Sequence, residues 1–353
     1  MGTLSPMDAL ELDRAGWQEV MRSWGLPAFH GSQVYAGLWR RAGDYAEMSD
    51  LPGVLRDRLA SELPLGGEVL AERTADSGRT VKALLRFGRH TVETVLMAYR
   101  DRVTVCVSSQ AGCAMDCGFC ATGRMGLLGN LSAGQIAAQL RWATRAARAL
   151  PGGPRRPTNV VFMGMGEPMS NYRGVRGAIA RMLDPDGADL GARHVTVSTI
   201  GVVPGIRRLA TDYPQVGLAV SLHAADDALR TRLVPANRLW PLAAVQDAVE
   251  EWRRRTRRRP SIEWAMIRGV NDQDEQARLL APIARRLRAH VNLIPMNHVD
   301  GSPWKPSTNA RMDAFVGVLE AEGVNVTVRD TRGREIEAAC GQLRLEHDRE
   351  VFV

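Results

Sequence analysis

Four of the five cysteines of this 353-residue chain, Cys106, Cys113, Cys117 and Cys120, fall within 15 residues of one another, and the fifth, Cys340, lies near the C-terminus. An odd count, with no charged leader followed by an apolar stretch at the N-terminus, argues against a structural disulfide framework. The run Cys113-x3-Cys117-x2-Cys120 offers three thiolates from one loop. Three thiolates cannot close a tetrahedral structural zinc site. They can hold three corners of a [4Fe–4S] cluster and leave the fourth iron open to a ligand that receives one electron. Zinc with an outside fourth ligand is the competing reading. Read alone, Cys106 in an apolar strand and Cys340 in Ala-Ala-Cys-Gly are small packing residues. Glu93 is, on the same footing, an exposed strand carboxylate.

Such a loop needs a scaffold, and from about residue 103 the chain supplies a regular one. Short apolar runs alternate with amphipathic stretches. Strands are expected at Val103–Ser108, Asn159–Met163, His194–Ser198, Val216–Leu222, Ile262–Ile267 and Val291–Pro295, with a seventh at Val324–Arg329. Helices are expected at Ser132–Leu150, Leu242–Arg258, Asp274–Ala289 and around Ala310–Glu322. Repeated βα units imply a parallel sheet with right-handed crossovers, closed into a full or partial barrel or left open. Chemistry then belongs at the C-terminal ends of the strands. The cysteine loop, Gly164–Pro168, Ser198, Ser221–His223 and Asn297 all fall there. Upstream, residues 1–65 read as a small helical accessory domain and 66–98 as a β-rich linker to a core at 99–345. Trp17 and Trp24 are spaced for a core face, and Arg40-Arg41 makes the N-terminal unit a candidate docking surface for a polyanion.

The Cys-x3-Cys-x2-Cys spacing, with Phe119 before the last cysteine, resembles the radical S-adenosylmethionine (SAM) superfamily. Gly164-Met165-Gly166-Glu167-Pro168 resembles its second signature, a turn that holds the amino group of SAM, and Ser198, Ser221 and Asn297 match further SAM contacts. A denser match follows. Gln110–Cys120, Val161–Pro168, Val197–Gly201, Leu218–Ala224, Asn292–Asn297 and the tail from Arg329 to Leu343 are similar to the RlmN-type adenine-C2 RNA methyltransferases. The resemblance implies a partial (βα)6 TIM-like radical SAM barrel with a small N-terminal accessory domain. It implies that Cys113, Cys117 and Cys120 ligate a [4Fe–4S] cluster, and that Gly166, Glu167, Ser198, Ser221, Leu222, His223 and Asn297 bind SAM, two molecules per turnover. Cys340 would accept a methyl group from the first SAM. A radical made from the second would take a hydrogen from that methyl, and the methylene would add to C2 of an adenosine in 23S rRNA or tRNA. Glu93 would accept the C2 proton, and Cys106 would release the protein–RNA thioether by forming a disulfide with Cys340. A one-electron donor of the flavodoxin type is implied as partner. The adenine-C8 (Cfr-type) branch, linked to antibiotic resistance, is the nearest alternative. A non-catalytic, zinc-stabilised RNA-binding protein is the remote one.

Composition agrees with a nucleic-acid enzyme and excludes other classes. Apolar residues make up 45% and charged residues 24%, enough for a core and too few charges for wholesale disorder. No apolar run approaches the ~18 residues of a membrane span, so none is expected; a cytoplasmic location and a monomeric state are expected alongside. The net charge of +7 favours an anionic partner. Of the 46 basic residues all but Lys82 and Lys305 are arginine, a bias that suits bidentate phosphate contacts but is also what a biased gene composition produces. The densest run, Arg253-Arg254-Arg255-Thr256-Arg257-Arg258-Arg259, reads either as a track for phosphates or as a solvated helix end favoured by the helix dipole.

Overall fold

The structure is a computed structural model and describes residues 8–151, 154–297, 302–329 and the single residue Ile336. Its strands are β1 (Glu68–Ala75), β2 (Thr80–Phe87), β3 (His90–Ala98), β4 (Val103–Cys106), β5 (Gln110–Gly112), β6 (Leu127–Asn130), β7 (Asn159–Phe162), β8 (Val195–Thr199), β9 (Gly217–Ser221), β10 (Ser261–Met266), β11 (His290–Pro295) and β12 (Val326–Val328). Ten of them form one sheet in the order β1-β2-β3-β4-β7-β8-β9-β10-β11-β12. From β4 to β12 the neighbours are parallel, joined by helices, as the alternation of apolar runs and amphipathic stretches predicts. Among the described residues the sheet is not closed: β1 and β12 are its two edges. Yet residues of β3 and β4 face residues of β11 and β12 across one cavity, so the sheet curls into a partial barrel.

Several strands end earlier than the apolar runs suggest, whereas β8 runs one residue further, to Thr199, and β11 ends at Pro295 as expected. The first stops at Cys106 and the fourth at Ser221. Just beyond those points Val107 N–H and Leu222 N–H still reach the carbonyls of Val161 and Glu263, and one residue further Ser108 N–H turns to the Gln139 side chain at 2.7 Å. Those extra residues therefore become loop at the C-terminal pole. The small hairpin of β5 and β6 lies outside the expected strands.

Helix starts are set by local chemistry. Ser132 caps Ala133–Ala147 with a full capping box closed by Gln135, and Asp226 and Thr308 cap the helices Asp227–Leu233 and Asn309–Ala321. Segment 66–98, expected as a linker, forms β1–β3, which run antiparallel and extend the barrel sheet through the pairing of β3 with β4. The N-terminal helices share a single hydrophobic core with the barrel: Trp17, Met21 and Leu38 belong to the same buried cluster as Ile136, Val175 and Ile179. Polar contacts reinforce the seam, with Arg181 donating to the Glu11 carbonyl at 2.6 Å and Tyr35 to the Asp184 carboxylate at 2.9 Å. Trp24 is half-buried instead, under the Arg58 guanidinium at 4.1 Å. Trp17 is fully buried and meets Tyr45 edge-on. Trp17→Ala is expected to cost about 3–5 kcal/mol, read as a shifted urea midpoint. An unchanged midpoint would contradict the shared core.

Candidate active site

The three-cysteine loop is held at its neck by the β5–β6 hairpin. Gly112 has φ +70°, and a Cβ there would collide with the carbonyl oxygen of Gly126. Only glycine meets both demands. The Cys113 N–H donates to that same Gly126 oxygen at 2.8 Å. Cys113 and Cys117 are buried and Cys120 is half-buried, all three as free thiols. Burial pushes the Cys113 thiol up to about 12, and Cys117 well above the ordinary range. Each is raised further by its sister thiols, so the three sulfurs share one electrostatic neighbourhood. Thiols so disfavoured as anions need a cation to become ligands. Among the described residues no three metal-binding side chains are arranged to close on a single ion. A donor set of three thiols on one loop fits the corners of an iron–sulfur cluster, each iron taking one sulfur.

The loop opens on a cavity of about 400 Å³ at the C-terminal ends of the parallel strands, a size typical of small-molecule sites. Cys117, Cys120, Gly166, Glu167, Ser198, Ser221, His223 and Asn297 all line it. The Gly164–Pro168 turn rests directly on the segment that follows β4. A Cβ at Gly164 would lie 2.7 Å from Ser108 Oγ, and Gly166 has φ +96°. Glu167 is buried, and its carboxylate ties two loops together. Oε1 accepts from Met169 N–H and Oε2 from Ile200 N–H, each at 2.9 Å. Burial raises its pKa to about 7 against the pull of those bonds. Ser198 and Ser221 face each other with their hydroxyls 3.4 Å apart. His223 is neutral: burial and the nearby Arg230 lower its pKa to about 3, and Nδ1 accepts from Ala265 N–H at 3.0 Å. Its ring supports Phe119 of the cysteine loop edge-on at 4.7 Å. Leu222 is not at the cavity. Its side chain is in the core, and its backbone bonds to Glu263 and Arg230.

A second cavity of about 640 Å³ adjoins the first and shares Met97, Cys106, Met163 and Arg329 with it. Cys106 thus faces both. Its thiol is pushed up to about 11 by burial, with Arg329 acting the other way. Glu93 lines the second cavity and is not the exposed carboxylate that a lone strand glutamate suggests. It is buried, and its Oε1 lies 3.1 Å from Lys82 Nζ, itself fully buried. Cys340 lies outside the described residues.

Three groups escape sequence reasoning. Arg230 is fully buried and donates to the carbonyls of Leu222, Ile200 and Trp240 and to the Asn237 side chain. Burial lowers its pKa to about 10. Glu263 and Arg329 pair at 3.2 Å on the wall between the cavities. A glutamate inside the otherwise apolar run of β10 was a readable signal. The third is Lys82, one of only two lysines in an arginine-rich chain.

Comparisons with known proteins bear on this arrangement. Residues 107–281 match the Radical SAM superfamily. The chain is 48% identical over 347 residues to a probable dual-specificity RNA methyltransferase RlmN of Salinispora tropica, covering 96% of this chain and 93% of that one. It is 50% identical to a protein of the same name from a Parafrankia species, with coverages of 97% and 92%. Among solved structures it is similar to a radical SAM methyltransferase from Sphaerobacter thermophilus, with a TM-score of 0.90, 44% identity, and coverages of 96% and 99%. Gly112→Ala is expected to fold but to spread the neck of the cysteine loop, so that iron and sulfide retained after anaerobic reconstitution fall several-fold. Wild-type iron content in that variant would show that the neck does not position the thiols.

Proposed function

The chain belongs to the RlmN family of radical SAM methyltransferases, and we propose that it methylates C2 of adenosine in RNA, with 23S rRNA and tRNA as substrates. Its cofactors are a [4Fe–4S] cluster and SAM. Together they supply one-electron chemistry at an unactivated carbon, which adenine C2 requires because that carbon is too electron-poor to attack a methyl group itself. The reading as a non-catalytic zinc-stabilised protein falls with the family membership.

In this proposal Cys113, Cys117 and Cys120 hold the cluster, and Gly166, Glu167, Ser198, Ser221, His223 and Asn297 bind SAM, with Leu222 contributing through its backbone. Cys340 carries the methyl group. It lies 11 positions after Arg329, and at about 3.3–3.6 Å per residue an extended segment of that length can return to the cavity that Arg329 lines. Glu93 accepts the proton from C2, and its buried ion pair with Lys82 fixes the carboxylate at the wall of the second cavity. Cys106 resolves the protein–RNA thioether by attacking the Cys340 sulfur. The observation that carries the reading is the position of Cys106 on both cavities at once. It stands between the cofactor side and the space beside Glu93 where a flipped base can enter. Its raised pKa keeps it a thiol at neutral pH until it is called on. A flavodoxin-type reductant, a monomeric state and a cytoplasmic location complete the proposal. No described helix is long and apolar enough to cross a membrane.

Cys106→Ala should accumulate a covalent protein–RNA adduct, seen as a shifted band that survives denaturation. Turnover without adduct would remove the resolving role. Mapping the new methyl to adenine C8 rather than C2 would move the activity to the Cfr type. Glu167 adds a pH signature. If its carboxylate receives the ammonium of SAM, protonation below about pH 7 competes with binding. SAM affinity should then fall by up to about tenfold per pH unit between pH 7 and 5, and Glu167→Gln should bind weakly at every pH. A flat wild-type profile would exclude that contact.

A further inference from the structure

The arginine run at 253–259 does not end as an isolated helix tip. Arg253, Arg254, Arg257, Arg258 and Arg259 meet Arg285 and Arg288 of the next helix around a concavity of about 900 Å³, closed on one side by the turn Gly323–Asn325. These residues precede β10, β11 and β12. The basin therefore occupies the N-terminal pole of the barrel, opposite the catalytic cavity. Strands of five or six residues separate the two poles by roughly 20 Å.

The plain alternative is a solvated set of helix ends, and charge decides against it. The helices Leu242–Thr256, Asp274–Leu287 and Asn309–Ala321 all finish at this pole. Their dipoles supply roughly −0.5 each. Two carboxylates add to that: Glu322, paired with Arg285, and Glu250, 3.8 Å from Arg254. Together these offset about half of the seven positive charges. Moreover, Arg253 Nε and Arg258 Nη1 have no hydrogen-bond partner among the described residues, so the cluster is short of internal acceptors as well as of counter-charge. No aromatic side chain is among the lining residues, whose apolar members are Ala284, Ala289 and Val324, so the basin offers charge far more than an apolar platform. Guanidinium forks suit phosphate oxygens.

We infer that this basin docks the phosphate backbone of the RNA substrate at a distance from the target base, as a second anchor that contributes affinity and not chemistry. The inference rests on the reading of RNA as substrate. A small free anion would fill one corner of so open a basin, whereas a folded RNA that reaches the catalytic pole is large enough to engage both.

The test uses the full-length enzyme and the variant Arg254→Gln/Arg257→Gln/Arg288→Gln, whose three exposed side chains lie outside the catalytic machinery. Thermal melting checks that the variant is folded. Binding is measured against salt for an intact tRNA and for its isolated anticodon stem-loop. The variant should bind intact tRNA about tenfold or more weakly, with the slope of log K against log salt reduced by about two to three. The stem-loop should bind both proteins alike. Equal tRNA affinity and equal slopes would leave the basin a solvated helix end. Equal losses on both RNAs would reduce it to a general charge effect. A wild-type enzyme that binds neither RNA would overturn the RNA reading itself, a result distinct from the other two.

Discussion

One buried guanidinium sets the geometry of the catalytic pole. Arg230 reaches from a short helix to the carbonyls of Ile200 and Leu222, the residues that follow β8 and β9 in the chain, and to Asn237 and Trp240. Taking such a charge out of water costs several kcal/mol unless its donors are satisfied, and here the oxygens that satisfy it belong to the very loops that must be held. Glu167 completes the device from the other side, its carboxylate bonded to Ile200 N–H while the turn that carries it rests on Ser108 and Gln110. Three strand ends are thus locked to one another by two buried side chains whose partners are mostly backbone groups.

Low local polarity gives this cavity its chemistry. Burial moves the thiols of Cys106 and Cys113 up, Glu167 up and His223 down, in every case toward the neutral form. A site built from neutral groups welcomes a cationic ligand or cluster that turns them into anions, and it leaves thiols quiet in the absence of one. Around it the arginines are arranged by a different logic. Inside, Arg230 and Arg329 are each committed to named acceptors. Outside, at the opposite pole, seven lack enough counter-charge. The separation divides catalysis from electrostatic capture of a polyanion.

The barrel and most of the site were legible because both are written locally. Alternating apolar runs mark the strands, and the residues that bear chemistry sit at fixed offsets beyond them. Cys117, Cys120, Gly166, Ser198, Ser221 and Asn297 come to one cavity for that reason. What stayed hidden depends on contacts between distant residues. Arg230 meets Ile200 30 positions away, and Arg329 meets Glu263 66 positions away. The burial of Glu93 follows from β2 laying Lys82 beside it, which no property of the glutamate foretells. Segment 66–98 reads as a linker by itself, since its union with the barrel lies in the pairing of β3 with β4. The arginine run was ambiguous because Arg285, Arg288 and the turn at 323–325 that complete the basin lie far along the chain. Cys340, to which the proposal gives the methyl group, lies outside the described residues.

The central claim is that the methyl group passes through a cysteine and loses a hydrogen before it reaches the base. It is tested by supplying the reconstituted enzyme with SAM deuterated at the methyl group and weighing the methylated nucleoside released from the RNA by mass spectrometry. The account predicts a methyl group carrying two deuteriums, since one is removed while the carbon is held on sulfur. A methyl group that arrives with all three would mean direct transfer from SAM to the base, and would contradict the roles assigned to Cys340, Cys106 and Glu93 together.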